Sequence, residues 1–157
     1  MPSPRPTSVV AVALGEVAAL LETTAPAGAD NVRLSGVSLD SRTVQPGDLY
    51  AALPGFLAHG GSFAAQAVDA GAVAVLTDPP GAELAGDLDV PVLVVSDPRA
   101  ALGDVAALVY GMAAQELTLV GITGTNGKTT TAYLVEAGLR ALGEETGLLG
   151  TVETRVG

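Results

Sequence analysis

The chain has 157 residues, which is enough for one ordinary domain and part of a second. Seven basic and 17 acidic residues give a net charge of −10, which argues against nucleic acid or an anionic membrane surface as a partner. The sequence contains no cysteine, which excludes a disulfide framework and a thiolate metal site. It has no run of 18 apolar residues, so we expect no membrane insertion. The absence of cysteine fits a reducing compartment, and we expect a cytoplasmic protein.

Periodic apolar patterns predict alternating helices and strands along the first two thirds of the chain. A Pro- and Ser-rich tail over residues 1–13 is expected to be disordered. The elements predicted after it are a helix over 14–22, strands over 32–39 and 48–53, a helix over 62–70, strands over 72–77 and 91–95, and a helix over 97–110. Loops are predicted over 23–31, 54–61 and 78–89, with a hinge over 111–116.

Turn and cap residues fix some of these bounds. Residues 45–48 read Gln-Pro-Gly-Asp and predict a type II turn, since proline suits its second position and glycine its third. Ser62 is predicted to cap the helix over 62–70, with Phe63, Ala67 and Val68 facing inward. The strands over 72–77 and 91–95 are continuous apolar runs, so both are expected to be buried on two faces.

A glycine-rich loop follows a short apolar run further along the chain. Residues 117–131 read Leu-Thr-Leu-Val-Gly-Ile-Thr-Gly-Thr-Asn-Gly-Lys-Thr-Thr-Thr, and a helical pattern begins at once. A strand, a glycine-rich loop and a helix in this order form a phosphate cradle, because the N–H groups and dipole of the helix start attract negative charge. Lys128 would reach the phosphates and Thr129 would offer its hydroxyl to Mg²⁺. Ile122 stands where the strict Walker pattern has glycine, so the loop is a variant.

The helix after this loop is predicted over residues 129–142, followed by a strand over 146–149. Glu136 and Arg140 are expected to pair across one turn on its outer face. Its inner stripe is predicted to be Leu134, Gly138, Leu139 and Leu142. With the strand before the loop, this is one βαβ unit with a right-handed crossover. Since two strands and one helix leave faces uncovered, we expect residues 117–157 to be the start of a larger domain; docking onto the first domain is the alternative.

Two parts of the sequence resemble the Mur ligase family, whose ATP-dependent members build the peptide stem of peptidoglycan. The run Ile-Thr-Gly-Thr-Asn-Gly-Lys-Thr-Thr-Thr at 122–131 is similar to the family's nucleotide loop. Residues 37–55 and 61–72 resemble the UDP-binding domain of its E and F members. Within the family, the loop sequence and the later Gly150-Thr151 pair favour the E type.

The resemblance implies an α/β fold in two parts. The first is a three-layer α/β UDP-sugar-binding domain over residues 14–112. The second is the first βαβ unit of a P-loop-type ATP-binding domain over residues 117–157, which is truncated.

The resemblance also implies the site residues. The ATP-binding set is Gly124, Thr125, Asn126, Gly127, Lys128, Thr129 and Thr130. Within it, Lys128 has a catalytic role and Thr129 contacts Mg²⁺. The UDP-sugar-binding set is Leu39, Ser41, Arg42, Phe56, Leu57 and Ala58. The role of Arg42 stays open between facing the pyrophosphate and forming a surface salt bridge. His59, the only histidine, is expected to be a loop residue rather than a base or a ligand.

The implied activity is that of the E-type ligase. ATP and Mg²⁺ activate UDP-N-acetylmuramoyl-L-alanyl-D-glutamate as an acyl phosphate, and a diamino acid, meso-diaminopimelate or L-lysine, attacks it. The remaining metal ligands and the amino-acid pocket of such enzymes lie outside these 157 residues, so we expect no ligation by this chain alone. A monomer is expected. The alternatives are an F-type or other Mur-fold ligase, a non-catalytic nucleotide-sugar-binding module, and an unrelated P-loop kinase or GTPase.

Overall fold

A computed structural model describes residue 6 and residues 9–111 and 117–156. The chain divides into two compact units, Met1–Glu116 and Leu117–Gly157. The helices are α1 (Leu14–Leu20), α2 (Ala64–Asp69), α3 (Pro79–Ala85), α4 (Pro98–Tyr110) and α5 (Lys128–Ala141). The strands are β1 (Val12–Ala13), β2 (Arg33–Leu34), β3 (Gly36–Ser38), β4 (Asp48–Ala51), β5 (Ala74–Thr77), β6 (Val92–Val94), β7 (Gly147–Leu149) and β8 (Thr154–Val156). Short 3₁₀ helices span Ala29–Asn31 and Gly60–Phe63.

The first unit is built on a parallel sheet with the strand order β3-β4-β5-β6. Leu49 of β4 lies opposite Ala74 of β5, and Leu76 of β5 lies opposite Leu93 of β6. The predicted type II turn leads into β4: Gly47 has a φ of 91°, and the N–H of Asp48 donates to the carbonyl of Gln45 at 3.0 Å. Because all four strands run parallel, their carboxyl ends lie at one edge of the sheet.

Helices cover both faces of this sheet, which confirms the α/β fold class. On one face, α1 and α4 pack on the strands through a buried cluster of Leu14, Val17, Ala18, Leu49, Ala74, Leu76, Leu93, Val105 and Val109. On the other face, α2 and α3 cover a second cluster that includes Tyr50, Ala64, Ala67 and Val75, with Ala85 packed against it. Burial of one leucine side chain contributes roughly 1.5–3 kcal/mol, so each cluster holds its helices firmly to the sheet.

The start of the unit differs from the predicted tail. Residues 1–5, 7 and 8 of that tail lie outside the described residues. Val12 and Ala13, however, form β1, which pairs antiparallel with β2. The single strand predicted over 32–39 is wrong, because the chain changes sheets at Ser35. The N–H of Ser35 donates to the carbonyl of Gly47 at 2.9 Å, so β2 joins β1 whereas β3 joins β4.

The loop predicted over residues 78–89 is also wrong, since it contains α3. Asp78 caps this helix by accepting the N–H of Gly81 at 2.8 Å on its Oδ1. Two prolines fill the first helical positions, where a missing N–H costs nothing because it would have no partner inside the helix. The predicted hinge over 111–116 begins at Gly111, which ends α4 with a φ of 80°; residues 112–116 lie outside the described residues.

Two predictions about side-chain orientation need correction as well. Ser62 does not cap the helix predicted over 62–70. The chain enters α2 through the 3₁₀ helix Gly60–Phe63, which is capped by His59. Phe63 is exposed, whereas Ala64 and Ala67 are buried. The edge strand β6 is not buried on both faces, since Val94 is exposed.

The second unit contains α5 and an antiparallel hairpin of β7 and β8. The predicted βαβ unit is therefore not formed within residues 117–156: the apolar run that starts at Leu117 has no ladder partner, and β7 pairs with β8 instead. A strand forms only where its N–H and C=O groups find partners. The predicted inner stripe of α5 is exposed at Leu134, Leu139 and Leu142.

Glu136 is the buried residue of α5, and its partner is not the predicted Arg140. Its carboxylate accepts hydrogen bonds from Nε and Nη2 of Arg155 on β8, with the Nε contact at 2.9 Å. The same guanidinium contacts Oε1 of Glu153 at 3.0 Å and lies over the ring of Tyr133, 5.3 Å from its centroid. This network joins α5 to the hairpin.

No helix in the described part of the chain is long and apolar enough to cross a membrane.

Candidate functional site

A cleft of about 520 Å³ opens beyond the carboxyl ends of β3 and β4 in the first unit. Its lining consists of Leu39, Asp40, Ser41, Arg42, Tyr50, Leu53, Pro54, Gly55, Ala58, Gly60, Phe63, Gln66 and Arg99. Ligands of open parallel sheets bind at this edge, because the strand ends and the loops after them converge there. The size is in the range of small-molecule pockets.

A tight turn after β3 supplies one wall of the cleft. The carboxylate of Asp40 accepts the backbone N–H of Arg42 at 3.0 Å, and the carbonyl of Asp40 accepts the N–H of Thr43 at 2.9 Å. Asp favours such turns because its side chain reaches the backbone two residues on. The turn places the side chain of Ser41 in the cleft, where it is buried and its hydroxyl donates to Oε1 of Gln66 at 3.0 Å.

Asp40 and Arg42 form a bidentate ion pair within this turn. Nε of Arg42 lies 2.9 Å from Oδ1 of Asp40, and Nη2 lies 2.7 Å from Oδ2. The side-chain hydrogen bonds of Arg42, followed by its backbone N–H, lower the pKa of Asp40 to about 2. The same pairing raises the pKa of Arg42. Of the two roles that the sequence left open for Arg42, the structure shows the salt bridge.

The loop after β4 forms the opposite wall of the cleft. Pro54 and His59 pair in a β-bridge at its base, and Nη2 of Arg99 donates to the carbonyl of Pro54 at 2.8 Å. Ala58 lines the cleft, but Phe56 and Leu57 extend fully into solvent and do not line it. Four of the six predicted UDP-sugar residues therefore meet in one cleft, and two project from the adjacent loop tip.

Tyr50 and His59 hold the base of the cleft. The hydroxyl of Tyr50 donates to the carbonyl of Gly60 at 3.1 Å, and burial, with the nearby charge of Asp40, raises the pKa of Tyr50. Nδ1 of His59 accepts the N–H of Gly61 at 2.9 Å. With Nδ1 used in this way, His59 caps the 3₁₀ helix Gly60–Phe63.

Gln66 and Arg99 are lining residues that the sequence analysis missed. They lie 25 and 45 residues from their partners Ser41 and Pro54, so no local pattern connects them. One signal was available: Arg99 stands two residues after Asp97, at the start of the helix that follows β6, and such helix starts lie at the ligand edge of a parallel sheet.

The second candidate site lies at the start of α5. Gly127 caps this helix with a φ of 77°, and Gly124 has a φ of 149°, both conformations that favour glycine. The first backbone bond of the helix runs from Thr131 N–H to Gly127 O at 2.9 Å. The N–H groups of Lys128, Thr129 and Thr130 therefore lack intrahelical partners, as at every helix start. The seven predicted residues 124–130 form one continuous exposed loop and first turn.

Lys128 folds back over this loop, and its ammonium donates to the carbonyl oxygen of Gly124. The donor set fits a nucleotide phosphate, since it combines an ammonium, helix-start N–H groups and the hydroxyls of Thr129 and Thr130. Among the described residues, no group of three His, Cys, Asp or Glu side chains could hold a metal. Of the residues in this loop, Thr129 would be the one to offer an oxygen to a phosphate-bound Mg²⁺.

Comparison with protein families finds a match for a large part of each unit. The model described as "Mur ligase family, catalytic domain" matches residues 33–110, which contain the cleft. The model described as "Mur ligase middle domain" matches residues 122–157, which contain the loop at α5. The chain belongs to the Mur ligase family. The resemblance found in the sequence is thereby confirmed.

Curated relatives are similar across nearly the whole chain. The UDP-N-acetylmuramoyl-L-alanyl-D-glutamate--2,6-diaminopimelate ligase of Streptomyces coelicolor is 54% identical over 154 residues, which cover 98% of this chain and 30% of that protein. The UDP-N-acetylmuramyl-tripeptide synthetase of Leifsonia xyli is 47% identical over 153 residues, again 98% of this chain and 30% of the relative. The chain thus spans about 30% of the length of these curated Mur ligases.

Solved Mur ligases share the fold. A UDP-N-acetylmuramoyl-L-alanyl-D-glutamate--2,6-diaminopimelate ligase superposes with a TM-score of 0.67 and 27% identity, over 94% of this chain and 29% of that structure. The MurF ligase of Thermotoga maritima, solved in complex with ADP, superposes with a TM-score of 0.54 and 25% identity, over 67% of this chain and 23% of that structure. The fold is common to both types, whereas the names of the similar curated relatives correspond to the E type.

Proposed function

We propose that this chain carries the UDP-sugar-binding region and the ATP phosphate loop of an E-type Mur ligase. The whole enzyme would add diaminopimelate, or another diamino acid, to UDP-N-acetylmuramoyl-L-alanyl-D-glutamate. The observation that carries the proposal is that one chain contains both a nucleotide-sized cleft and a phosphate loop. Over 98% of its own length, this chain is 54% identical to such a ligase. Because ATP and UDP-linked sugars are cytoplasmic compounds, we place the activity in the cytoplasm.

In the first unit, the cleft holds the nucleotide of the sugar substrate. Leu39 and Ala58 offer apolar contacts, and Ser41 offers a buried hydroxyl that is already oriented by Gln66. A pre-oriented hydroxyl loses little freedom on binding, which favours affinity. Phe56 and Leu57, at the exposed loop tip, would cover the nucleotide from outside.

In the second unit, the helix start of α5 holds the phosphates of ATP. The ammonium of Lys128 leaves the carbonyl of Gly124 for a phosphate oxygen, since a charged acceptor binds an ammonium more strongly than a neutral one. Thr129 offers its hydroxyl to Mg²⁺. ATP supplies the phosphoryl group that activates the substrate carboxylate toward the incoming amine.

A direct test measures the binding of UDP and ATP to the purified protein by calorimetry, with MgCl₂ present for ATP. Both should bind, at separate sites, without competing. Binding of UDP but not ATP would favour a non-catalytic nucleotide-sugar-binding module, and binding of ATP alone would contradict the role proposed for the cleft. Formation of a ligation product from this chain alone would contradict the proposal that ligation needs the rest of the ligase.

The phosphate loop allows a more selective test, because Lys128 is the only lysine of the sequence. An amine-directed label therefore reports on Lys128, with the α-amino group as an internal reference. ATP should slow the labelling of Lys128 but not that of the α-amino group, whereas UDP should slow neither. Equal labelling rates with and without saturating ATP would place the nucleotide elsewhere.

A further inference from the structure

The lining of the cleft includes two arginines, and the groups that pair with them differ. Arg42 is engaged by both carboxylate oxygens of Asp40, at 2.9 and 2.7 Å. An arginine in such a bidentate pair has its charge matched and two of its five N–H donors occupied. An anionic ligand could reach the remaining N–H donors of Arg42 only beside the negative charge of Asp40, which opposes its binding.

Arg99 has a neutral partner instead. Its Nη2 donates to the carbonyl oxygen of Pro54 at 2.8 Å. The nearby Asp97 carboxylate is used elsewhere, since its Oδ1 accepts the N–H groups of Arg99 and Ala100 at the start of α4. Within the described part of the chain, no carboxylate forms a salt bridge with the Arg99 guanidinium. Its positive charge therefore remains available to the cleft.

The net charge of the cleft lining is opposite in sign to that of the whole chain. The cleft lining contains Asp40, Arg42 and Arg99 as its charged residues and so carries a net positive charge, in a chain whose net charge is −10. Arg99 lies in the first turn of the 13-residue helix α4. The diphosphate of a UDP-sugar is the anionic part of the proposed ligand, and a guanidinium can bind it through two parallel N–H···O bonds.

We infer that Arg99, rather than Arg42, is the residue that binds the diphosphate of the nucleotide sugar in this cleft. This inference rests on the proposed function, because it presumes that the cleft takes UDP. The bond to Pro54 then has a second consequence. The same guanidinium that binds the diphosphate also holds the loop that forms one wall of the cleft, through the carbonyl of Pro54.

The test compares UDP with uridine, which has the same base and ribose but no phosphate. Calorimetry on the purified protein should show that Arg99→Gln weakens UDP binding about ten- to a hundredfold, the range for a lost charge-assisted hydrogen bond. Uridine binding should stay within twofold of the unmodified protein. Arg99→Lys, which keeps the charge but loses the two parallel N–H donors of the guanidinium, should give an intermediate loss of UDP affinity. The matched control is Arg33→Gln, which removes the same charge from an exposed position on β2 outside the cleft lining and should leave both affinities unchanged.

The outcomes separate this inference from the proposed function. If the unmodified protein binds neither UDP nor uridine, the proposed function fails. If it binds UDP and Arg99→Gln weakens UDP and uridine equally, Arg99 only positions the loop and the inference is wrong. A selective loss of UDP affinity in Arg42→Gln, with none in Arg99→Gln, would assign the diphosphate to Arg42. Should Arg99→Gln fail to fold, the UDP-to-uridine affinity ratio of Arg99→Lys decides the question.

Discussion

Nε2 of His59 lies 2.9 Å from Oδ1 of Asp78, and the two side chains are only 16% and 14% exposed. Nε2 is buried, and this contact lacks the alignment of a hydrogen bond. On its other side, Nδ1 of His59 accepts the N–H of Gly61. One imidazole thus joins the loop of the cleft to α3, the helix that Asp78 caps.

We expect His59→Ala to lower the free energy of unfolding by about 1–2 kcal/mol, because it removes a capping acceptor and leaves the N–H of Gly61 without its partner. His59→Asn should recover most of this loss, since an Asn side chain can accept the same N–H. Urea unfolding followed by circular dichroism measures both. Equal stability of His59→Ala and the unmodified protein would show that the imidazole carries no structural role.

Gly61 and Gly103 should respond oppositely to the same substitution. A Cβ on Gly61 would lie 2.4 Å from the carbonyl oxygen of Gly81 in α3, so Gly61→Ala should cost about 1–3 kcal/mol. A Cβ on Gly103, in the middle of α4, would meet nothing within 4 Å. Gly103→Ala should therefore stabilise the protein by about 0.5–1 kcal/mol through helix propensity. Thermal unfolding of the two variants checks the pair, and a stabilising Gly61→Ala would contradict the close approach of these backbones.

The ion pair of the cleft makes a prediction about pH. The pKa of Asp40 is lowered from 3.8 to about 2 by Arg42. The stabilisation from this pair should therefore be fully present above pH 4 and be lost as the pH falls through about 2. NMR titration of the Asp40 carboxyl carbon measures the midpoint, and Arg42→Gln should move it back toward the ordinary value. A midpoint near 3.8 in the unmodified protein would mean that the pair does not form in solution.

The network of the second unit predicts local protection. Glu136 has a lowered pKa because the Arg155 guanidinium donates to it. Glu136→Gln weakens this bond, so the backbone amides of Leu148 and Arg155 should exchange with deuterium faster. Glu144→Gln, at an exposed position outside the network, is the control and should leave their exchange unchanged. Unchanged exchange in both variants would show that the hairpin is held to α5 by other contacts.

The sequence was informative wherever one local pattern determined the structure. The continuous apolar run over 72–77 contains β5, which has a partner strand on each side. The turn at 45–48 forms as predicted because proline and glycine restrict the backbone directly. Asp78-Pro79-Pro80 lies in the predicted loop over 78–89, although an Asp cap followed by prolines at the first helical positions is also a helix start.

The sequence was less informative where distant residues meet. Nothing near Ser41 indicated that Gln66 would orient its hydroxyl, and nothing near Pro54 indicated Arg99. The prediction for the apolar run at residue 117 failed for a related reason. Its composition suits a strand, but pairing decides whether a strand forms, and β7 pairs with β8.

The order of the parallel sheet has a consequence for synthesis of the protein. Each strand from β4 to β6 pairs with the strand made just before it, so the sheet can grow in step with translation at roughly 5–20 residues per second. The cluster that joins Leu14 to Val109 is different, because it spans almost the whole unit and awaits α4. A nascent chain that has not yet released α4 would expose Leu93 and the inner face of α1. We expect this late interval to be the time when the unit most depends on a chaperone.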